Sequence, residues 1–63
     1  MKKQEAKEWL KGLIVTLFGD TTIDDYTFRG NLEVLSELEH RAESLGWLTW
    51  AEICEIEETA LIA

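Results

Sequence analysis

Proline is absent from this chain of 63 residues, and cysteine, histidine and methionine each occur once. With Cys54 as the single cysteine, no disulfide can close within the chain. Its apolar surroundings give that thiol the character of a small hydrophobe rather than a reactive group. One histidine and one cysteine fall short of zinc-type ligand spacing, and no glycine-rich loop of the phosphate-cradling kind is present. Nothing here supports nucleophilic or metal-assisted catalysis, so the chain reads as a non-enzyme without a cofactor. Long apolar runs are missing too. Residues 13–18, with Thr16 inside them, fall well below the ~20 residues of a membrane span. The basic opening (Lys2, Lys3, Lys7) is interrupted by Glu5 and Glu8 and precedes no small-residue cleavage site, unlike a signal peptide. The expectation is a soluble, cytoplasmic protein with no membrane partner.

Positive charge is the scarcest commodity after residue 30. Residues 1–30 balance five Lys/Arg against five acids, whereas residues 31–63 set Arg41 alone against eight glutamates. Almost the whole formal charge of −7 therefore lies on the second half. Phosphate binding needs clustered Lys or Arg. The third segment, where a recognition helix would lie, carries Glu52, Glu55, Glu57 and Glu58 and no cation. Direct nucleic-acid binding is excluded on that ground.

The pattern that is present is helical. With no proline, punctuation falls to Gly19 and Gly46, which cut the chain into three segments. In the first, about 3–18, Ala6, Trp9, Leu10, Leu13, Ile14, Leu17 and Phe18 recur at the three- and four-residue spacing of one helix face, leaving Val15 outside it. Gly19 is suited to a left-handed closing residue. Residues 19–26 are turn chemistry (Asp20, Thr21, Thr22, Asp24, Asp25), with Ile23 as an anchor to the core. Two starts fit the second helix. Asp24 caps an early one that carries Gly30 inside it; Asn31 caps a late one. The unbroken stripe Phe28, Leu32, Leu35, Leu38, Ala42 and Leu45 favours the early start and a helix over 25–45. After Gly46, Thr49 and Glu52 form a capping box, with Leu48 and Ile53 as its hydrophobic staple. The third helix then runs over 50–61.

That third helix has a divided surface. Ile53, Ile56 and Ala60 make one apolar patch, Trp50, Cys54 and Leu61 a second beside it, with Glu57 between and Glu52, Glu55 and Glu58 opposite. One account has a second chain covering the second patch. The other has Glu57 and Ile62 solvated at a frayed end. If Glu57 is buried, it needs a cation, for which Lys7, Lys11 and Arg41 are candidates. Three tryptophans in a chain this short also suggest an interface: Trp9 belongs to the core face of the first helix, while Trp47 and Trp50 fit core or interface equally. Glu37 and His40 have the E-x-x-H spacing of di-metal bundles but lie opposite the apolar stripe, so they should face water. The loop from Asp20 lacks the glycine and the final glutamate that a calcium loop requires at its sixth and twelfth positions.

These readings converge on an all-α, small three-helix bundle, a helical hairpin plus a third helix. A domain of this size has a marginal core, and homodimerisation is the support left once disulfide and metal are excluded. The expected function is an acidic protein–protein interaction module with Trp47, Trp50, Cys54, Glu57, Leu61, Glu52, Glu55 and Glu58 as its binding residues. Its partner is a protein with a basic surface. One form of it is an inhibitor that occupies the phosphate site of a nucleic-acid-binding protein. A purely structural oligomerisation subunit and a metal-binding mini-bundle are the alternatives. In size, acidity and helical content the chain is similar to small acidic proteins of phages and mobile elements, though no motif makes that likeness specific.

Overall fold

A computed structural model describes residues 1–61, so Ile62, named above as a candidate for solvation, lies outside the described residues. It contains three helices, α1 (Lys3–Phe18), α2 (Asp25–Ser44) and α3 (Trp50–Thr59), and no strand among those residues. None of the helices is long and apolar enough to cross a membrane. The first span matches its expectation; the second and third stop one and two residues short, with Leu61 in the turn that follows α3.

Local chemistry sets the boundaries. Asp24 accepts a hydrogen bond from the Thr27 N–H at 2.8 Å, which establishes the early start of α2 with Gly30 inside the helix. Asn31, the alternative cap, does something else. Its side-chain amide donates to the Leu17 carbonyl at 2.9 Å, satisfying one of the unpaired acceptors at the end of α1 and tying α2 to it. Asp20 folds the connection on itself by accepting from both the N–H and the hydroxyl of Thr22. At the start of α3 both halves of the capping box are made, Glu52 N–H to Thr49 Oγ1 at 3.2 Å and Thr49 N–H to Glu52 Oε1 at 2.9 Å. Leu48 and Ile53, the staple pair, are both buried.

The two punctuating glycines differ. Gly46 is left-handed, with φ of 76°. The Trp47 N–H reaches back to the Ala42 carbonyl and the Gly46 N–H to that of Glu43, the paired bonds of a Schellman motif. Gly19, expected to be left-handed, is instead right-handed at φ −71°. Its need for glycine is one of space: a Cβ there would lie 2.5 Å from the Val15 carbonyl oxygen.

The core is built on α1. Ala6, Leu10 and Ile14 are buried against Leu35 of α2 and against Leu48, Ile53 and Ala60, with Trp9, Leu13, Leu17, Phe18, Trp47 and Ile56 packed around them. Val15 is exposed, as its register requires. α1 packs closely against both α2 and α3, while α2 and α3 touch each other little. The Asn31 bond places the beginning of α2 at the end of α1, so those two are antiparallel. Lys3 and Lys7 reach Glu52 at 3.3 and 3.6 Å, which sets the beginning of α3 beside the beginning of α1.

One expectation about α2 is corrected. Of its predicted core stripe, Leu35 and Ala42 are buried and Leu38 half-buried, but Phe28, Leu32 and Leu45 are substantially exposed and Glu39 takes an interior place. The helix is turned so that its inward face centres on Leu35, Glu39 and Ala42.

Candidate functional site

Because α2 and α3 pack closely on α1 and touch one another little, a groove of about 270 Å³ opens between them. Ile14, Phe18 and Leu35 belong to its lining, with Phe28 and Leu32 on the α2 side and Glu57 and Leu61 on the α3 side. Phe28 meets Phe18 edge-on, with ring centroids 5.4 Å apart, so the aromatic end of the groove is held in place by a favourable ring pair. Phe28, Leu32 and Leu61 nevertheless keep 43, 45 and 52% of their surface exposed. These three large apolar side chains around one concavity form a contiguous patch rather than scattered exposure.

The polar element of this seam is Glu39. Only 4% of its surface is exposed, and its Oε2 has no hydrogen-bond partner. Across the seam stands Glu57, which lines the groove and is itself exposed. An ionised carboxylate offers acceptors and no donor. The two groups are therefore satisfied together only when one carries a proton. Burial, and then the proximity of Glu57, pushes Glu39 up to about 7. Glu57 was expected to need a cation if buried; it is exposed, and the acid that is buried is its neighbour on α2.

At the other end of α3 the electrostatics reverse. The Thr49 N–H, the Thr49 hydroxyl and Lys3 hold Glu52 down to about 2. Glu52 is thus committed to the capping box and to two lysines. Asp24, capping α2, is likewise lowered by its hydrogen bonds from Thr27.

Comparison with protein-family models, with curated proteins and with solved structures finds no match.

The residues expected to bind a partner are dispersed over the molecule. Trp47 is half-buried, edge-on to Trp9 at 6.0 Å, and belongs to the core packing. Trp50 remains 42% exposed and stacks on His40 of α2, centroids 5.1 Å apart and planes 17° from parallel. Cys54 is a free, half-buried thiol. The Schellman turn that closes α2 sends Trp47 back onto the core, while Trp50 keeps an exposed face. Glu55 and Glu58 are exposed, and Glu57 and Leu61 belong to the groove. Glu37 and His40 are exposed as their register requires, and among the described residues no three His, Cys, Asp or Glu are grouped to hold a metal.

Phe28, Leu32 and Glu39 went unremarked as site residues. For Glu39 a signal existed: on the helical wheel it falls between Phe28 and Leu32, inside the apolar arc. For Phe28 and Leu32 none did, since exposure along an apolar stripe depends on how far neighbouring helices spread.

Proposed function

We propose that this protein is a non-catalytic binding module that receives a basic, amphipathic helix of a partner protein in the groove between α2 and α3. The observation that supports it most is the exposed Phe28–Leu32–Leu61 patch around an open seam of a helical bundle, the place a fourth helix would complete. The charge supports a basic occupant. The two helices that form the seam carry nine acids, Asp25 and eight glutamates, against Arg29 and Arg41, and complementary charge steers encounter while like charge opposes it. The same argument weighs against a second copy of the chain, which would bring two acidic faces together. A basic helix of this kind occurs on nucleic-acid-binding proteins, and occupying it would make the module an inhibitor. A structural, self-associating subunit is the competing reading.

The test is calorimetric titration with two synthetic helix-forming peptides that share one leucine face, one with a lysine-rich and one with a glutamate-rich opposite face. Binding of the lysine-rich peptide, abolished by Leu32→Ser with Leu61→Ser at unchanged helicity, supports the reading. Failure of that peptide to bind overturns it. A dimer in sedimentation that the same double variant dissociates would give the groove to a second copy.

A further inference from the structure

We propose that the Glu39–Glu57 pair is the specificity element of this groove and takes one arginine or lysine side chain projecting from the leucine face of the docked helix. This rests on the docking reading above and adds to it the chemistry of a single position in the partner.

Three observations carry it. First, among the described residues the one polar side chain lining an otherwise apolar groove is Glu57. An incoming helix that was apolar throughout would desolvate that carboxylate without compensation. Second, its neighbour Glu39 is buried, and the Glu39 Oε2 accepts no hydrogen bond from any described residue. Native structures seldom leave a buried carboxylate oxygen unpaired, and a missing partner is one reason for it. Third, the ion pairs among the described residues lie elsewhere: Lys3 and Lys7 meet Glu52 at the far end of α3, and none reaches Glu39 or Glu57.

The surroundings of Glu39 leave Glu57 as the group that matters. The inward residues of α1 are Ala6, Leu10 and Ile14, all apolar. On α2 the neighbours one turn away are Leu35, Ser36, Ala42 and the exposed Glu43, and the adjacent His40 is engaged with Trp50. From α3 comes Glu57. A guanidinium seated at Glu57 supplies the positive charge that lets both carboxylates ionise, and its planar fork can address two oxygens at once. Without that cation, the two acids are accommodated by a proton on Glu39 that hydrogen-bonds toward Glu57. Seating the cation therefore exchanges a proton for it: the side chain arrives charged, and the Glu39 proton leaves to solvent. At neutral pH Glu39 is poised for that exchange.

The experiment uses two helix-forming peptides identical except at the centre of their leucine face, one with arginine there and one with citrulline, its uncharged isostere. Titration at pH 7 in two buffers of different ionisation enthalpy reads affinity and proton release together. The expected result is an arginine preference of about tenfold or more, with release of a fraction of a proton. Proton release should disappear in Glu39→Gln, and the arginine preference should be largely lost in Glu57→Gln, each of which preserves side-chain shape. Equal affinity for the two peptides, an arginine preference unchanged in Glu57→Gln, or proton release unchanged in Glu39→Gln overturns this inference while leaving the docking site standing. Binding of neither peptide removes the docking site as well.

Discussion

The two faces that α1 presents to its neighbours and the seam where those neighbours confront each other are built from different chemistry. Against α1 the residues are small or branched and fully covered: Ala6, Leu10 and Ile53 have no exposed surface, and Ala60 little. Along the seam stand a buried acid facing a second acid and three large apolar groups half in water. A surface that excludes water completely contributes stability in proportion to its area. A seam holding two carboxylates cannot close in that way unless one of them is protonated or a cation arrives. Tight packing and open apolar surface are thus separated among the described residues: α1 organises the fold, and the seam stays partly exposed.

The sharpest way to break this comparison is to truncate one residue from each region. Leu10→Ala or Ile53→Ala should cost about 2–5 kcal/mol, enough to unfold much of so small a domain. Leu61→Ala should cost under about 1 kcal/mol, since half of its surface is already wet. Urea denaturation followed by tryptophan fluorescence distinguishes them; equal losses would show the seam to be part of the core.

A second expectation concerns pH, and the two regions carry opposite signs. Glu39 rises from 4.5 to about 7 on folding, so the folded state holds its proton more tightly. That contribution is complete below pH 4.5 and is lost as the pH rises through 7, a change of up to about 3 kcal/mol. Glu52 falls from 4.5 to about 2, so its contribution is complete above pH 4.5 and is lost as the pH drops toward 2. Urea midpoints measured from pH 2 to 8 should therefore peak near pH 4.5 to 5. Glu39→Gln should flatten the alkaline side alone; an unchanged slope would show that Glu39 is already compensated.

Smaller effects sharpen the picture at the beginning of α3. Thr49→Ala removes the capping oxygen and should cost about 1 kcal/mol, visible as a lower thermal midpoint and lost helicity. Replacing Lys3 and Lys7 by alanine should cost less, under about 1 kcal/mol for the exposed pairs, and the loss should vanish in high salt.

Much of the fold was legible because its signals are local. The Asp24 cap, the Thr49–Glu52 box and the face of α1 each depend on residues within one or two turns. The handedness of Gly19 was not, because glycine accepts either hand at a helix end, and here its N–H continues the helix by bonding the Val15 carbonyl. Trp47 and Trp50 lie three residues apart and looked equivalent, yet one belongs to the core and the other to an exposed stack on His40. No spacing rule distinguishes them: the Schellman turn that closes α2 returns Trp47 to the core, whereas Trp50 opens α3 beside His40.

By itself, the sequence determined three helices, the caps that open α2 and α3, the face of α1 and the acidic balance of the second half, since each follows from neighbours along the chain or from composition. Tertiary structure alone decided that α2 would turn Glu39 inward, that Glu57 would meet it from α3, and that the two helices would stand apart over Phe18 and Leu35. Those outcomes depend on the angles at which helices cross, and crossing angles are set by how whole faces of side chains fit together.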